Sequence, residues 1–313
     1  MEIELVAAGE VLADFTPIGK GPSGNTAYET NPGGAPANML AAYSALGGGC
    51  AFIGTVGDDF FADFLKDALI RGGIDISGVK TVAGEHTTLA FINLSEDMQP
   101  TFRFVRGADA LITADDIDKS IIDRARAFHF GGVSLSKEPA RSSILNAAKY
   151  AKSKGKIITF DANYRPDLWE NENEAALIMK EAIKLCDYIK LSEEDACLIT
   201  GKASPDEAAR EIYGDDKKAV FITLGKKGVY FMAGDECGTV EAYDVKALDT
   251  TGCGDAFMGA VLFQLLNEPA KMAHETVSYA CAVSALCATK RGAMPAMPTR
   301  AEVCRFLVGE DVL

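Results

Sequence analysis

Apolar and polar positions along the chain follow two alternating periods. Continuous apolar runs, typical of strands buried on both faces, occur at Ile3 to Gly9, Cys50 to Val56, Ala125 to Phe130, Lys156 to Phe160 and Asp187 to Leu191. Between these runs, apolar residues recur every three or four positions, which predicts helices after Gly33-Gly34, after Asp58, near Ala140 to Lys154 and over Glu174 to Leu185. This alternation of strands and helices predicts an α/β fold with a central, mostly parallel sheet.

One region departs from this alternation. Thr87 to Leu94 and Thr101 to Val105 are extended segments joined by a polar turn at residues 95–100, a pattern typical of a hairpin. Together with the glycine-rich, polar stretch from Pro17 to Pro32, the hairpin predicts a small antiparallel sheet outside the main body. We predict that residues of about 13–32 and 85–107 form a β-sheet lid.

The last third of the chain predicts an edge hairpin followed by helices. Ala219 to Leu224 and Gly228 to Ala233 flank a short Gly-Lys-Lys turn, so the far edge of the sheet is predicted to be antiparallel. Helices are predicted over Gly254 to Leu266 and Lys271 to Cys287. Thr299 and Glu302 then have the spacing of a capping box before a final helix.

Composition narrows the class of protein. The chain has 313 residues, of which 48% are hydrophobic, and we predict one domain spanning residues 1–313. The net charge is −14, and lysines and arginines are scattered, so neither nucleic acid nor an anionic membrane surface is a predicted partner. A small molecule is the predicted ligand, held by local groups against an unfavourable overall charge.

Cysteines and the first residues bear on the cellular environment. Eight cysteines occur without a C-x-x-C motif or metal-ligand spacing, which predicts reduced, buried thiols. The first residues lack a basic segment followed by an apolar block, and no uncharged apolar stretch of about 18 residues appears, so we predict a cytoplasmic protein. His86, His129 and His274 are far apart, and none is assigned a catalytic role.

The segment from Asp249 to Asp255 carries the chemistry that is easiest to interpret. Gly252, Cys253 and Gly254 open a helix, and small residues there leave backbone N–H groups accessible to an anion. Asp255 on the first turn faces that position and can act as a base, although the same pattern also occurs as an ordinary turn with a helix-start acid. A Walker A loop, protein-kinase signatures and a G-x-G-x-x-G after the first strand are absent, which disfavours a dinucleotide-dependent oxidoreductase.

Several separated segments, taken together, resemble the ribokinase-like (PfkB) carbohydrate kinases, and within them the fructokinases. They are Gly9 to Phe15, Asn31 to Asn38, Phe52 to Asp59, His129 to Gly132, Asp161 to Arg165 and Asp249 to Asp255. Their order and spacing cover nearly the whole chain. The resemblance implies a three-layer α/β sandwich, with helices on both faces of the central sheet and a small β-sheet lid.

The resemblance assigns the chemistry residue by residue. It implies an anion hole on the amides of Gly252, Cys253 and Gly254, with Asp255 as the catalytic base and Arg165 near the transferred phosphate. Cys253 stands where the family usually has alanine, which would make the enzyme sensitive to thiol reagents. The implied sugar contacts are Asp14, Gly33, Gly34, Asn38, Phe104, Arg106, Asn163, Arg165 and Asp255.

Some of these assignments have ordinary structural alternatives. A carboxylate such as Asp14 can accept hydrogen bonds from two adjacent sugar hydroxyls, but it can equally be a solvated acid at a strand end. Asn38 can be a helix-start cap, and Arg106 and Arg165 can form surface ion pairs.

The resemblance also implies ATP, Mg²⁺ and K⁺ as cofactors. Nucleotide contacts would fall on Lys190, Ser192, Thr223, Gly225, Gly228, Gly252, Gly254, Gly292 and Ala293. The family's metal-linked N-x-x-E element appears as Ser192-Glu193-Glu194-Asp195, with both key positions changed, so no direct metal ligation is assigned to it. A monovalent cation held mainly by carbonyl oxygens would lie at Asp249, Thr251, Cys287, Lys290, Gly292 and Ala296.

The resulting hypothesis is an ATP-dependent kinase for the hydroxymethyl group of a sugar, with D-fructose converted to fructose 6-phosphate. Other acceptors such as 2-keto-3-deoxygluconate, ribose or a nucleoside remain open, and Phe104 stands where 2-keto-3-deoxygluconate kinases resemble one another in having tyrosine. A catalytically silent sugar-binding protein is the alternative from a different class, and the retained Asp255 disfavours it. Relatives often pair through the lid, which makes a homodimer possible.

Overall fold

The computed structural model describes residues 2–94, 100–214, 216–268 and 273–309. The strands are β1 Leu5–Ala8, β2 Leu12–Lys20, β3 Thr26–Gly33, β4 Cys50–Val56, β5 Asp75–Thr81, β6 Leu89–Leu94, β7 Pro100–Val105, β8 Ala127–Gly131, β9 Ile157–Asp161, β10 Tyr188–Ser192, β11 Ala219–Thr223, β12 Val229–Ala233 and β13 Glu236–Val240. The helices are α1 Ala35–Ala45, α2 Phe60–Arg71, α3 Lys119–Arg124, α4 Ala140–Ser153, α5 Glu172–Ile183, α6 Glu193–Thr200, α7 Pro205–Tyr213, α8 Cys253–Asn267, α9 Ala273–Ala288 and α10 Arg300–Leu307. None of the described helices combines the length and apolar character needed to cross a bilayer.

A nine-stranded sheet forms the centre of the molecule, in the order β13-β12-β11-β10-β9-β8-β1-β4-β5. All pairings from β5 to β11 are parallel, and β12 and β13 are antiparallel at the far edge, as predicted. The sequence analysis did not anticipate β5 and β13. Each lies at an edge of the sheet and carries polar residues and glycine, so neither contains the apolar run that marks a central strand.

Helices cover both faces of this sheet. Leu5 and Ala7 in β1 belong to one apolar core, which also contains the buried faces of α1, α2, α8 and α9. Val6 and Ala8, which point to the opposite face, belong to a second core with α3 to α7. Side chains that alternate between two cores explain why the central strands are apolar at every position, and the result is the predicted three-layer sandwich.

A second, four-stranded sheet has the order β3-β2-β6-β7. The pairs β2–β3 and β6–β7 are antiparallel hairpins, but β2 and β6 run parallel. The sheet predicted to be antiparallel is therefore mixed, because the two hairpins join through their first strands, which run in the same direction. Residues 95–99 of the predicted hairpin turn lie outside the described residues, and a lid role for this sheet stays a prediction.

Helix boundaries follow local capping. Asp59 is the N-cap of α2, one residue beyond the Asp58 after which the helix was predicted, because its side chain accepts a hydrogen bond from the N–H of Ala62 at 3.0 Å. The capping box of Thr299 and Glu302 before α10 is confirmed. Three helices were not predicted, α3, α6 and α7, each of nine residues or fewer. Short helices show too few turns for a clear periodicity.

The helices α1 and α8 pack closely against each other near the candidate site. A Cβ atom added to Gly259 would lie 2.6 Å from the carbonyl oxygen of Met39 and 2.8 Å from the Cβ of Ala42. Only glycine permits this separation of the two helices. Asn38 and Asp255 lie on the same two helices, within about one turn of this contact.

We expect Gly259→Ala to lower the free energy of unfolding by about 1–3 kcal/mol, because overpacking at this contact outweighs the helix-propensity gain of alanine. Urea unfolding followed by circular dichroism measures the change. The control is Gly21→Ala, whose added methyl would meet nothing closer than 3.7 Å, and it should change stability by less than about 0.5 kcal/mol. Equal effects of the two substitutions would contradict the packing argument.

Candidate active site

A cavity of about 560 Å³ lies at the carboxyl ends of β1, β8, β9 and β10, beneath the four-stranded sheet. Its lining residues come from these strand ends, from the starts of α1 and α8, and from β2 and β7. They are Glu10, Leu12, Asp14, Gly34, Ala35, Asn38, Phe102, Phe104, Val133, Asn163, Tyr164, Arg165, Pro166, Lys190, Ser192, Glu194, Asp195, Thr250, Thr251, Gly252, Gly254 and Asp255. The cavity thus brings together twelve of the residues predicted from sequence: Asp14, Gly34, Asn38, Phe104, Asn163, Arg165, Lys190, Ser192, Thr251, Gly252, Gly254 and Asp255.

The first turn of α8 presents free backbone N–H groups to the cavity. Gly252 precedes the helix with a left-handed conformation (φ 81°), and a Cβ there would lie 2.8 Å from the Cβ of Ala293. Within the described chain, the amides of Gly252 and Gly254 have no backbone or side-chain acceptor. The amide of Cys253 donates to the Thr250 carbonyl at 3.2 Å. Of the three amides predicted to form an anion hole, those of Gly252 and Gly254 are therefore free in the described chain, whereas the Cys253 amide takes part in a turn hydrogen bond; the anion hole itself stays a prediction.

Asp255 is held in place by a residue far away in the sequence. The side-chain amide of Asn38 donates to Oδ2 of Asp255 at 2.8 Å, and both side chains are buried at the cavity wall. Burial raises the pKa of Asp255 above its ordinary value, although Lys190, the Asn38 hydrogen bond and Arg165 act in the opposite direction. A raised pKa makes this carboxylate a better proton acceptor than an exposed aspartate. Asn38 is thus a positioning residue for Asp255 and not only a helix-start residue.

A buried ion pair supplies positive charge beside the helix end. Nζ of Lys190 lies 3.0 and 3.1 Å from the two carboxylate oxygens of Asp161, and it also lies 2.8 Å from where a Cβ of Gly254 would be. Burial alone would lower the pKa of Lys190, but the carboxylates of Asp161, Asp195 and Asp255 hold it above its ordinary value. Lys190 therefore stays charged, and the absence of a side chain at Gly254 lets its ammonium group approach the free amides.

The opposite end of the cavity is formed by Asp14 and the glycine pair. A Cβ on Gly33 would lie 2.0 Å from Oδ2 of Asp14, and a Cβ on Gly34 (φ 108°) would lie 2.5 Å from the Glu10 carbonyl oxygen. Gly33 does not line the cavity, but it leaves the space that Asp14 occupies. Burial raises the pKa of Asp14 to about 7, with the nearby Arg165 lowering it and Asp255 raising it.

Glu10 is a buried cavity residue that the sequence analysis did not single out. Its carboxylate accepts hydrogen bonds from the Ala35 amide at 3.2 Å and from the Ser134 hydroxyl at 2.6 Å. Burial raises the pKa of Glu10 to about 7. By binding the first amide of α1, Glu10 fixes the start of the helix that carries Asn38. The sequence feature that could have indicated a site role for Glu10 is its position directly after a buried strand.

Arg165 and two phenylalanines form the wall under the small sheet. The guanidinium carbon of Arg165 lies 5.1 Å from the ring centre of Phe102, and Nη1 donates to the Tyr164 carbonyl at 2.9 Å. Phe104 lies on the same face of β7 as Phe102, with ring centres 6.1 Å apart. The sequence analysis named only Phe104, although a separation of two residues on a strand predicts that both share one face.

Asn163 has an unusual positive φ of 39°, which turns the chain below β9.

Arg106 does not lie where the sequence analysis placed it. Its guanidinium group forms a buried ion pair with Asp109 at 2.8 Å and donates to the Ser136 hydroxyl at 3.1 Å. Arg106 is absent from the cavity lining. The prediction of a direct sugar contact is therefore corrected: the neighbouring acid at the i+3 position captures this arginine behind the cavity wall.

The residues predicted to bind nucleotide fall into two groups. Ser192 lines the cavity and forms a capping box with Asp195, whose carboxylate accepts from the Ser192 amide at 2.8 Å and the Tyr164 amide at 3.0 Å. The Ser192-to-Asp195 element thus serves backbone positioning. Thr223, Gly225 and Gly228 lie at the β11–β12 turn outside the cavity lining, and a Cβ on Gly228 would meet the Val240 carbonyl oxygen at 1.9 Å. Packing against β13 is a sufficient reason for glycine at that position.

The segments predicted to hold a monovalent cation converge behind the start of α8. The Asp249 carboxylate accepts from the amides of Thr251 at 2.9 Å and Gly292 at 3.0 Å, so it ties two of these segments together. The Lys290 amide donates to the Cys287 carbonyl at 3.1 Å, and the Ala296 amide donates to the Ala293 carbonyl at 3.1 Å. The Lys290 side chain, in contrast, forms an ion pair with Glu302 at 2.8 Å.

Side chains alone do not make a metal centre in the described part of the chain. No group of three or more histidine, cysteine, aspartate or glutamate side chains there is arranged to hold a metal ion. Any cation behind α8 would therefore be bound mainly by backbone carbonyl oxygens, the type of ligand that the resemblance implies for the monovalent cation. Any divalent ion would be bound largely by its substrate's phosphates.

Comparison with known proteins identifies the family. The family model for pfkB family carbohydrate kinases matches residues 2–300. The chain belongs to this family. A curated relative, Fructokinase-1 of Zea mays, is 38% identical, with 97% of each chain covered.

Solved structures agree with this membership. A fructokinase from Xylella fastidiosa with bound ATP has a TM-score of 0.89 at 26% identity, covering 98% of this chain and 99% of that one. A double-mutant fructokinase from Vibrio cholerae O395, in a form with fructose, ADP and potassium ion bound, has a TM-score of 0.86 at 30% identity with the same coverage. The resemblance to pfkB carbohydrate kinases and the predicted ribokinase-like fold are both confirmed.

The raised pKa of Asp14 leads to a pH-dependent stability. Because its folded pKa of about 7 exceeds the unfolded value of about 3.9, the folded protein binds more protons between these values. The resulting stabilisation is complete below about pH 4 and is lost as the pH rises through about 7. We expect Asp14→Asn to be more stable than wild type at about pH 8, by on the order of 2–4 kcal/mol, with the difference shrinking toward about pH 4.

Urea unfolding at several pH values measures this difference. Asp235→Asn, at an exposed turn between β12 and β13, is the matched control and should show no such trend. A stability difference for Asp14→Asn that is the same at about pH 5 and pH 8 would show that burial does not raise the pKa of Asp14.

Proposed function

We propose that this protein transfers the γ-phosphoryl group of ATP to the hydroxymethyl group of D-fructose, producing fructose 6-phosphate and ADP. One observation carries the proposal: the carboxylate of Asp255 and the free amides of Gly252 and Gly254 border the same cavity as Asp14 and Asn38. A base, an anion-binding turn and sugar-binding groups are the parts that phosphoryl transfer to a hydroxyl requires. Its fructokinase relatives support fructose as the acceptor.

The sugar would bind at the end of the cavity formed by Asp14, Asn38 and the aromatic wall. Ionised Asp14 can accept hydrogen bonds from two adjacent hydroxyl groups, and it lies beside backbone that the glycine pair keeps open. The Oδ1 atom of Asn38 is buried without a partner among the described residues, so it offers an acceptor for a further hydroxyl. Phe102 and Phe104 would cover the less polar face of the sugar.

Asp255 would remove the proton from the attacking hydroxyl. Its Oδ2 is engaged by Asn38, and no described group donates to Oδ1, which leaves Oδ1 to accept the proton. Burial raises the pKa of this carboxyl, which favours transfer of the proton to it as the hydroxyl oxygen bonds to phosphorus. The hydrogen bond from Asn38 keeps the carboxylate in one orientation while this happens.

Positive groups around α8 would stabilise the negative charge of the transferred group. The free amides of Gly252 and Gly254 lie at the N-terminal, positive end of the α8 dipole, and the ammonium group of Lys190 lies beside Gly254. Arg165 borders the same cavity and acts electrostatically on both Asp14 and Asp255. Lys190 and the two amides would act without reorganisation, because the Asp161 ion pair and the glycine backbone already hold them in place.

Mg²⁺ would enter with ATP and neutralise phosphate charge. Glu194 fits this role best, because it is an exposed carboxylate on the cavity wall, whereas Asp195 is occupied by two backbone amides. The adenosine part of ATP would extend from the start of α8 toward the loop at Gly292 and Ala293 and the turn at Thr223, Gly225 and Gly228. Contact of Ala293 with Gly252 supports this direction for the first part of that path.

An acceptor panel tests the proposal. Purified protein with MgATP and KCl is incubated with D-fructose, D-ribose, 2-keto-3-deoxygluconate or no sugar, ADP release is followed, and the product is identified by phosphorus NMR. We expect D-fructose to give the highest kcat/KM and fructose 6-phosphate as product. A higher kcat/KM for another sugar would assign the same chemistry to that acceptor. Sugar binding by calorimetry without ADP release would favour the silent sugar-binding alternative.

We expect Asp255→Asn to lower kcat by about 10²–10⁴-fold, because asparagine cannot accept the hydroxyl proton. The dissociation constant for fructose, measured by calorimetry, should change by less than about threefold, since the asparagine carbonyl can still accept the hydrogen bond from Asn38. Asp235→Asn, at an exposed turn remote from the cavity, is the control for loss of one carboxylate. Near-normal kcat in Asp255→Asn would rule out its role as the base.

We expect KCl to support a higher kcat than NaCl at equal ionic strength, because the predicted cation would order the segments behind the anion-binding turn through carbonyl oxygens. Initial rates in the two salts, with choline chloride as the control, measure the effect. The ordering also predicts a higher melting temperature in KCl than in NaCl. Equal rates in all three salts would remove the potassium hypothesis.

A further inference from the structure

The first turn of α1 has no capping group of its own. Gly34 at the N-cap position has no side chain, Pro36 has no amide hydrogen, and no acidic residue lies in this turn. The amide of Ala35 donates instead to Oε1 of Glu10 at 3.2 Å, from 25 positions earlier in the chain. The side chain of Glu10 thus replaces the local cap at the positive end of the α1 dipole.

Glu10 is itself held from a third segment of the chain. Its Oε2 accepts a hydrogen bond from the Ser134 hydroxyl at 2.6 Å. A Cβ atom on Gly9 would lie 2.6 Å from that hydroxyl oxygen and 3.0 Å from Cγ of Pro36. The end of β1, the turn at Ser134 and the start of α1 are therefore in close contact, and the Glu10 carboxyl group connects all three.

The turn that carries Ser134 is held from the small sheet. Arg106, at the end of β7, donates to the Val133 carbonyl at 3.3 Å and to the Ser136 hydroxyl at 3.1 Å, on either side of Ser134. The Ser136 hydroxyl also donates to the Val133 carbonyl at 2.7 Å. These bonds give the Ser134 hydroxyl a fixed position from which to hold Glu10.

We propose that Glu10 is a positioning residue for the base of the reaction: by holding the start of α1, it sets the orientation of Asn38 and, through Asn38, of the Asp255 carboxylate. The placement rests on the contacts of Glu10. Its effect on turnover rests on the proposed kinase function.

Asn38 lies on the turn that Glu10 caps. Its backbone N–H donates to the Gly34 carbonyl at 2.8 Å, which closes the first turn of the helix. Gly34, Ala35 and Asn38 all border the cavity, so this turn is open on one side. The close packing against Gly259 involves α1 residues from Met39 onward, beyond this turn. Loss of the cap would therefore loosen the part of α1 that carries the Asn38 side chain.

Glu10 has no oxygen left over for a direct role with a substrate. Both carboxyl oxygens have protein donors, and the residue is only 1% exposed although it borders the cavity. Glutamine at this position keeps an acceptor for the Ala35 amide, and its NH₂ group can donate to the Ser134 oxygen. Alanine keeps neither, so the two substitutions separate loss of the cap from loss of the charge.

Kinetics of these two variants test the proposal. We expect Glu10→Ala to lower kcat with MgATP and fructose by about tenfold or more, because a misplacement of about 1 Å can cost about 10²-fold in rate. The dissociation constant for fructose, measured by calorimetry, should change by less than about threefold, and Glu10→Gln should keep kcat within about threefold of wild type. Weaker fructose binding with an unchanged kcat in Glu10→Ala would refute positioning.

A double-mutant cycle tests whether Asn38 transmits the effect. Asn38→Ala alone should lower kcat by about tenfold or more, since the base loses its orienting hydrogen bond. Adding Glu10→Ala to Asn38→Ala should then lower kcat by less than about twofold further, because residues that act through one another are not additive. A double variant whose loss equals the product of the two single losses would refute the proposed connection.

Asn171→Ala is the matched control for loss of a helix cap. Asn171 caps α5 by accepting from the Glu174 amide at 2.9 Å, and no residue of α5 borders the cavity. This variant should lower the urea midpoint but keep kcat within about twofold of wild type. A loss of kcat as large as that in Glu10→Ala would assign the effect to general destabilisation. If circular dichroism shows that Glu10→Ala does not fold, Ser134→Ala, which removes one of the two bonds to Glu10, takes its place in the same cycle.

A measurement without substrate tests the placement even if wild type phosphorylates no sugar. Carboxyl ¹³C NMR of protein labelled at aspartate follows the titration of Asp255, whose signal is the one absent from Asp255→Asn. Because the Asn38 hydrogen bond stabilises the ionised carboxyl, its loss in Glu10→Ala should raise the pKa of Asp255 above the wild-type value. Removal of the Glu10 charge alone acts in the opposite direction, so Glu10→Gln should not raise this pKa. An unchanged or lowered pKa in Glu10→Ala would refute positioning, whether or not fructose is the substrate.

Discussion

The hydrogen bond from Asn38 to Asp255 joins two residues that are 217 positions apart, and the candidate site depends on it. It connects α1, the first helix of the chain, to α8, the helix that follows the turn at Gly252. The close approach of α1 and α8 at Gly259 makes the bond possible, since any larger residue there would separate the helices. Packing deep in one core therefore determines the distance between Asn38 and the Asp255 carboxylate.

Several features of the site depend on glycine, which has no side chain to fill the space beside it. Gly33 leaves room for the Asp14 carboxylate, Gly34 passes close to the Glu10 carbonyl, and Gly254 lets the Lys190 ammonium group approach the helix end. In each case a methyl group would lie only 2.0–2.8 Å from a charged or polar atom and would force it away. The glycines thus bring backbone and charge closer together than side chains would allow, which strengthens electrostatic interactions in a buried cavity.

The fold could be predicted from the sequence more completely than the detailed arrangement of the candidate site. The apolar runs predicted the central strands because side chains on both faces of a parallel sheet are buried, and the Gly-Cys-Gly-Asp order predicted the start of α8. Arg106 was misplaced because its capture by Asp109 depends on tertiary packing at the cavity wall. Glu10 and Phe102 were missed because their roles depend on partners distant in sequence, Ser134 and Arg165.

The distribution of charge in the cavity explains how an acidic protein can accommodate an anionic ligand. The net charge is −14, and the cavity wall carries Glu10, Asp14, Glu194, Asp195 and Asp255. Burial raises the pKa of Glu10 and Asp14 to about 7, which reduces their negative charge near neutrality. Lys190 and the free amides concentrate positive potential at the α8 end. A phosphate bound there would bring negative charge close to Asp255 and raise the pKa of this carboxyl further, so a bound nucleotide would make the Asp255 carboxylate a stronger proton acceptor.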